Sequence, residues 1–224
     1  METKNRTDVQ SEAVESLLKS KRSGVAVSMG VGKTLIGLKH LDSLSAAKVL
    51  VVAPKKSIFQ SWKDEMVKHS MQHLESSVTF STYISLNKQD LNYDVVYLDE
   101  CHNLLPSHEP WLDKFQGKIV GLTGTPPKFE RSTKGKLVNK FCPIRYSNFV
   151  DDAVSDGILN DYKIVVHMLK LGTAKNVMAG GKTRKWPTSE LESYSYWCDR
   201  IERSMNPNET MMLRIQRMKA MMSY

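Results

Sequence analysis

The stretch VAVSMGVGKT at residues 25–34 decides the fold, because an apolar run leads through a glycine-rich turn to Lys33 and Thr34. Residues 25–28 have the β-branched, apolar character of a short buried strand. Residues 33–44 have the length and apolar spacing of a helix that follows it. A strand, a glycine-rich turn and a helix in this order are typical of a phosphate-binding loop, in which backbone amides and the helix N-terminus bind phosphate oxygens.

The residue types in this loop suit the binding of a nucleoside triphosphate with Mg²⁺. Glycine lets the backbone amides turn toward the phosphates, while Lys33 is placed to reach the β- and γ-phosphates and the Thr34 hydroxyl to hold Mg²⁺. The full GxxxxGKT pattern is not met, because Val27 occupies its first glycine position. The predicted nucleotide-binding residues of the loop are Met29, Gly30, Val31, Gly32, Lys33 and Thr34.

Two adjacent carboxylates, Asp99 and Glu100, follow another apolar run in the segment VVYLDECH at residues 95–102. Solvated salt-bridge residues are unexpected at the end of a buried strand, so two anions there indicate a bound cation. Asp99 is placed to hold Mg²⁺, directly or through water, and Glu100 to orient and deprotonate an attacking water molecule. The sequence therefore predicts a nucleotide hydrolase whose catalytic residues are Glu100, Asp99 and Lys33.

Strand and helix patterns continue to alternate through the first two thirds of the chain. Further strands are predicted at residues 49–53, 78–81, 95–98 and 119–122, and further helices at residues 11–19 and 58–69. This alternation is typical of an α/β fold with a parallel sheet flanked by helices, in which ligands bind beyond the carboxyl ends of the strands.

The pattern changes after Pro143. A short helix is predicted at 151–157, a strand at 162–171, a glycine- and lysine-rich linker at 172–188, and helices at 189–204 and 209–222. The last helix carries methionines on one face, which favours packing against a core. We therefore expect a nucleotide-binding domain at 1–171, a linker at 172–188 and the helical start of an incomplete second domain at 189–224.

Composition limits the class of protein. The formal charge of +8 favours polyanionic partners such as nucleic acid, although a solubilising surface is the alternative. Cys101, Cys142 and Cys198 are widely spaced and odd in number, which argues against a disulfide framework or a zinc site. Neither an apolar signal core nor a stretch of about 18 apolar residues occurs. We expect a cytoplasmic protein without a membrane partner.

The ordered motifs resemble those of superfamily 2 helicases and translocases, especially phage-encoded DEAD/DEAH-like members and Swi/Snf-type remodellers. The matching segments are residues 29–34 for motif I, VVAPKKS at 51–57 with Trp62 after it for motif Ia, STY at 81–83 for motif Ib, DECH at 99–102 for motif II and LTGTP at 122–126 for motif III. The resemblance covers residues 6–171. It implies a RecA-like P-loop NTPase domain that uses ATP and Mg²⁺, in the host cytoplasm if the chain is phage-encoded.

The resemblance also implies roles for residues outside the two acidic and phosphate-binding motifs. Gln10 occupies the position of an adenine-reading glutamine, with an exposed glutamine at a helix start as the alternative. Segments that contact the nucleic-acid backbone are matched by Pro54, Lys55, Ser57, Thr82 and Tyr83. Coupling of nucleotide state to a second domain is matched by His102, Thr123 and Thr125. For Trp62, packing in the core is favoured over base stacking.

Complete motors of this family have two RecA-like domains, and the arginine finger lies on the second. The four arginines in the last two predicted helices lie outside the family's QxxGRxxR context, so none is assigned that role. An arginine finger supplies about 10³ to 10⁵ in rate in related systems, so we expect weak hydrolysis until a second RecA-like domain is present in cis or in trans. DNA is preferred over RNA as the partner. Two alternatives stay open, a nucleotide-gated nucleic-acid or protein-binding module with little turnover and the ATPase subunit of a restriction or remodelling complex.

Overall fold

Parallel pairing of short apolar strands determines the architecture of the first part of the chain. The computed structural model describes residues 4–165, 170–180, 185–204 and 207–222. The chain divides into two compact units, Met1–Tyr162 and Lys163–Tyr224. The strands of the first unit are β1 Arg22–Val27, β2 Val49–Ala53, β3 Val78–Thr82, β4 Val95–Asp99, β5 Lys118–Thr123 and β6 Ile144–Asn148.

These strands form one six-stranded sheet in the order β3-β2-β4-β5-β1-β6, and all of its neighbouring pairs are parallel. Every residue of β2 and β4 is buried, which explains why both are apolar throughout apart from Asp99 at the end of β4. The predicted parallel sheet is confirmed. The edge strand β6 was not predicted from its mixed sequence IRYSN, since only its last residue is buried.

Helices cover both faces of the sheet. Those of the first unit are α1 Arg6–Leu18, α2 Lys33–Asp42, α3 Ser57–Lys68, α4 Glu109–Lys114, α5 Thr133–Phe141 and α6 Val150–Ser155. One core cluster includes Val9, Ile36 and Trp62 from α1, α2 and α3, and a second, on the other face, includes Leu112 and Phe141 from α4 and α5. The predicted α/β class with flanking helices is confirmed, and α4 and α5 are additions to it.

The second unit contains an antiparallel strand pair and two helices, β7 Val177–Gly180, β8 Lys185–Thr188, α7 Glu190–Arg203 and α8 Pro207–Met222. The two strands lie within the stretch that we expected to be a linker. Valine and tryptophan favour extended backbone, and a Gly-Gly pair is a hairpin signal that the composition-based expectation overlooked. The domain limits at 171 and 188 stay a prediction.

Two local predictions for the later part of the chain are wrong. Residues 162–165, 170 and 171 are irregular where a strand was expected, and 166–169 lie outside the described residues. The apolar side chains of Ile164 and Val165 are 75% and 58% exposed, so they are not buried against a sheet. In α8, Met211 and Met218 are 64% and 55% exposed, whereas Leu213 is buried, so these methionines do not pack in a core. No helix in the described ranges is long and apolar enough to cross a membrane.

Candidate active site

The register of the sheet brings three motifs to one edge. Leu122 of β5 aligns with Val25 of β1 on one side and with Asp99 of β4 on the other. Because the strands are parallel, the segments that follow them leave the sheet at the same, carboxyl edge. The glycine loop after β1, the acidic pair after β4 and the segment LTGTP after β5 are therefore neighbours.

The glycine loop needs glycine at two positions. Gly30 and Gly32 have φ values of 93° and 104°, a conformation that L side chains rarely adopt. A Cβ atom at Gly32 would also lie 2.8 Å from Nε2 of Gln10. Gly32 is the N-cap of α2, so the first amides of this helix are available to phosphate oxygens. The loop borders a cavity of about 860 Å³, which Thr34, Arg6 and Gln10 also line.

Lys33 and Glu100 meet across this edge. The Lys33 Nζ lies 3.0 Å from Oε1 of Glu100, and the side chains are 13% and 26% exposed. A Cβ atom at Gly124 would lie 3.0 Å from Lys33 Nζ, so glycine in the LTGTP segment leaves room for the ammonium group. The structure thus brings the lysine of the glycine loop and the second carboxylate of the acidic pair into direct contact.

The acidic pair is held in a specific conformation. Glu100 has a φ of 52°, a left-handed backbone that costs a non-glycine residue roughly 1–2 kcal/mol. Asp99 is 4% exposed and its Oδ2 accepts a 2.8 Å hydrogen bond from the Trp62 indole Nε1. Burial raises the pKa of Asp99, and the Trp62 hydrogen bond opposes this by stabilising the carboxylate. The Tyr83 hydroxyl donates to the Asp99 carbonyl at 3.0 Å.

His102, Thr123 and Thr125 form one hydrogen-bonded cluster with Glu100. The His102 Nδ1 lies 2.9 Å from Oγ1 of Thr123, 3.3 Å from Oγ1 of Thr125 and 3.4 Å from Oε2 of Glu100. Burial lowers the pKa of His102, although the Glu100 charge opposes this, so the imidazole favours its neutral form. Of the three residues expected to couple nucleotide state to a second domain, His102 and Thr123 contact the Glu100 carboxylate directly, and Thr125 is linked to it through them.

Both polar atoms of the Gln10 side-chain amide form hydrogen bonds within the first unit. Its Nε2 donates to the Val31 carbonyl at 2.8 Å, and its Oε1 accepts from Lys39 Nζ at 2.9 Å. Gln10 is 4% exposed, so the alternative of an exposed glutamine at a helix start is wrong. Recognition of adenine by Gln10 stays a prediction.

The contact of Lys39 with Gln10 was not predicted from the sequence, because Lys39 lies two turns into α2 and belongs to no motif.

The residues matched to nucleic-acid contacts follow β2 and β3 at the same carboxyl edge. Lys55 and Ser57 are exposed, and Pro54 and Thr82 are partly buried. Tyr83 differs, because it is 6% exposed and its side chain belongs to the core. Its phenol is therefore not presented to a nucleic-acid backbone. Trp62 is fully buried, which confirms its expected place in the core, but its hydrogen bond to Asp99 was not foreseen.

The donor set fits a magnesium ion that shares its ligands with a nucleotide. The described residues contain no group of three or more His, Cys, Asp or Glu side chains that could hold a metal alone. Mg²⁺ is usually bound through one or two carboxylates together with substrate phosphates and water. Asp99 at the end of β4 and Thr34 at the start of α2 lie at the same edge of the sheet and could supply the protein's ligands for such a site.

Comparison with known proteins gives a family match and one curated relative. The family model described as "Type III restriction enzyme, res subunit" matches residues 3–128. The "DNA 3'-5' translocase XPB2" of Sulfurisphaera tokodaii is 27% identical over 137 residues, which is 54% of this chain and 31% of that protein. The chain therefore matches less than a third of the length of this relative.

Solved structures give weaker likenesses. The Sulfolobus solfataricus SWI2/SNF2 ATPase core in complex with double-stranded DNA has a TM-score of 0.48 and 17% identity, over 64% of this chain and 38% of that one. A nuclease-deletion mutant of the Type ISP restriction-modification enzyme LlaGI with a DNA substrate mimic has a TM-score of 0.49 and 16% identity, over 70% and 21%. The Pyrococcus furiosus Hef helicase domain has a TM-score of 0.45 and 17% identity, over 63% and 37%.

Proposed function

Because the chain belongs to the family of type III restriction enzyme res subunits and carries a RecA-like domain of the superfamily 2 helicase type, we propose that it is the motor domain of an ATP-dependent DNA translocase or helicase. The contact of 3.0 Å between Lys33 Nζ and Glu100 Oε1 is the observation that carries the proposal. It joins Lys33, a cation that lines a cavity large enough for a nucleotide, to a carboxylate that can accept a proton.

The chain's own residues suit the hydrolysis of ATP. Amides of the glycine loop and the start of α2 bind the phosphates, and Lys33 exchanges its contact with Glu100 for one with the terminal phosphates. Glu100 is then free to accept a proton from the attacking water. Asp99 and Thr34 would hold Mg²⁺, which would supply positive charge to neutralise the phosphate oxygens. The His102 cluster keeps the Glu100 carboxylate oriented through Oε2.

DNA is the proposed nucleic-acid partner. A second RecA-like domain, in cis or in trans, is the proposed protein partner and is needed for full activity. The name of the curated translocase relative supports DNA over RNA. The family description also supports a specific version, the ATPase part of a restriction complex. Such a motor would move along duplex without separating its strands. Strand-displacement and triplex-displacement assays on the chain with its second domain separate unwinding from duplex translocation. The phage-type character stays a prediction.

The replacement Glu100→Gln tests the proposal. We expect it to lower DNA-stimulated phosphate release by about 10²- to 10⁴-fold, because the amide cannot accept a proton, while ATP binding persists. Phosphate release with and without duplex DNA, and fluorescence titration with a labelled ATP, measure the two properties. A matched control is Glu75→Gln, since Glu75 pairs with Lys63 on the surface at 2.8 Å.

Unchanged turnover in Glu100→Gln would contradict the hydrolase. ATP binding without any stimulation of turnover by DNA, even with a second RecA-like domain supplied, would instead favour the nucleotide-gated binding module. A preference for RNA of the same sequence in the stimulation assay would overturn the choice of DNA.

A further inference from the structure

Asp99 is hydrogen-bonded by two buried aromatic side chains from different parts of the chain. Trp62 of α3 donates its indole N–H to the carboxylate Oδ2 at 2.8 Å. Tyr83, which follows β3, donates its hydroxyl to the backbone carbonyl of the same residue at 3.0 Å. Trp62 is fully buried and Tyr83 is 6% exposed, so water does not compete freely for either bond.

The indole ring of Trp62 fits against α2 because position 37 of that helix is glycine. A Cβ atom at Gly37 of α2 would lie 2.8 Å from Cη2 of Trp62, so the ring passes where another residue type would block it. Trp62 also contacts the Tyr97 ring, with 5.7 Å between the centroids. Packing on these sides fixes the plane of the indole, and a fixed N–H direction fixes the carboxylate that accepts from it.

A carboxylate on a short side chain rotates with little resistance about its last torsion unless a partner holds it. Mg²⁺ demands near-ideal ligand geometry, so a rotating Asp99 would bind it less well. We propose that Trp62 and Tyr83 are positioning residues that hold Asp99 in the orientation required for binding Mg²⁺ with a nucleotide. The inference rests on the proposed function, since it assumes that Asp99 is the magnesium ligand.

Trp62→Phe removes the N–H donor and keeps an aromatic ring. We expect affinity for a fluorescent ADP analogue in Mg²⁺ to fall about 10- to 100-fold, as is usual when a partner of a metal ligand is lost. Affinity for the same analogue in EDTA is expected to change by less than about 3-fold, because the loop amides and Lys33 still bind the phosphates. Tyr83→Phe should give a smaller loss in the same direction.

The chain offers a matched control for each variant. Trp111 is a second buried indole, 5% exposed, whose N–H donates to the Gln89 carbonyl at 2.8 Å and not to Asp99. Tyr97 is a second buried phenol, whose hydroxyl lies 2.7 Å from His40 Nδ1. Trp111→Phe and Tyr97→Phe should leave the ratio of affinities in Mg²⁺ and EDTA unchanged, whatever they do to the unfolding temperature.

A spectroscopic readout does not depend on turnover. The indole N–H signal of Trp62 in a ¹H–¹⁵N spectrum, identified by its loss in Trp62→Phe, should shift when Mg²⁺ is added to the nucleotide-bound chain, and the Trp111 signal should not. Equal loss of affinity in Mg²⁺ and EDTA, or no loss in a folded Trp62→Phe, overturns the inference. Absence of nucleotide binding in the unaltered chain with Mg²⁺ overturns the proposed function instead, so the two failures are distinguishable.

Discussion

Among single residues, His40 is a polar group in the middle of the apolar core. It is fully buried, its Nδ1 lies 2.7 Å from the Tyr97 hydroxyl, and its Nε2 has no hydrogen-bond partner among the described residues. Burial lowers the pKa of His40 to about 4, and the nearby positive charge of Lys118 adds to this effect. The folded chain therefore keeps a neutral imidazole here down to acidic pH.

Because of His40, we expect the free energy of unfolding to fall in acid. The unfolded chain binds a proton at His40 near pH 6.5, but the folded chain binds it only near pH 4, so stability is complete above 6.5 and falls as the pH drops toward 4. The shift corresponds to about 3 kcal/mol in the free energy of unfolding. Urea unfolding at pH 7.0 and 4.5 measures it, and the double variant His40→Leu with Tyr97→Phe should lose about 2–3 kcal/mol less between the two.

Tyr97→Phe alone is the control for this experiment. It removes the hydroxyl but leaves the imidazole buried, so its dependence on pH should match that of the unaltered chain. A double variant with the same acid sensitivity as Tyr97→Phe would show that other groups cause the loss.

Among the elements, α3 ends in a motif that normally uses glycine. Ser70 has a φ of 57°, its N–H donates to the Val67 carbonyl at 3.2 Å, and the Met71 N–H donates to the Met66 carbonyl at 2.8 Å. This pair of bonds is the Schellman arrangement, in which the left-handed position after the helix favours glycine. Met71 packs against the core cluster that contains Met66, which completes the motif.

Ser70→Gly should therefore raise the free energy of unfolding by about 0.5–1 kcal/mol, since it relieves the left-handed strain at more than the entropic cost of glycine. Ser61→Gly, at an exposed position inside the same helix, should lower it by about 0.5 kcal/mol. Urea unfolding of the two variants gives both values. Equal signs for the two changes would contradict the assignment of the helix end.

Burial decides which helices and strands could be predicted from the sequence. Strands such as β2 were predicted at their observed bounds, because residues buried on both faces leave an uninterrupted apolar run. Helix α4 was missed, because six residues that include Pro110 give no periodic signal. Motif order led us to expect Lys33 near the acidic pair. The bond from Trp62 to Asp99 could not be predicted, since the partner of a buried indole depends on how α3 packs.

For the molecule as a whole, the position of charge matters more than its sum. The formal charge is +8, but an excess of this size can come from a solubilising surface alone. Lys55 and Lys56 are exposed immediately after β2, at the carboxyl edge that carries the proposed nucleic-acid segments. Lys19 and Lys21 are equally exposed but precede β1, at the opposite edge. Comparing the two lysine pairs therefore distinguishes local contacts with DNA phosphates from a general attraction between the positive chain and DNA.

Each double replacement by alanine removes two positive charges, so general attraction predicts the same effect for both. If Lys55 and Lys56 contact phosphates, their loss should reduce the slope of log affinity for duplex DNA against log salt concentration by about two. The pair Lys19 and Lys21 should then leave the slope nearly unchanged. Fluorescence anisotropy with labelled duplex at several salt concentrations measures both slopes. Equal slopes for the two double variants would mean that the carboxyl edge is not where DNA binds, even if the chain binds DNA and hydrolyses ATP.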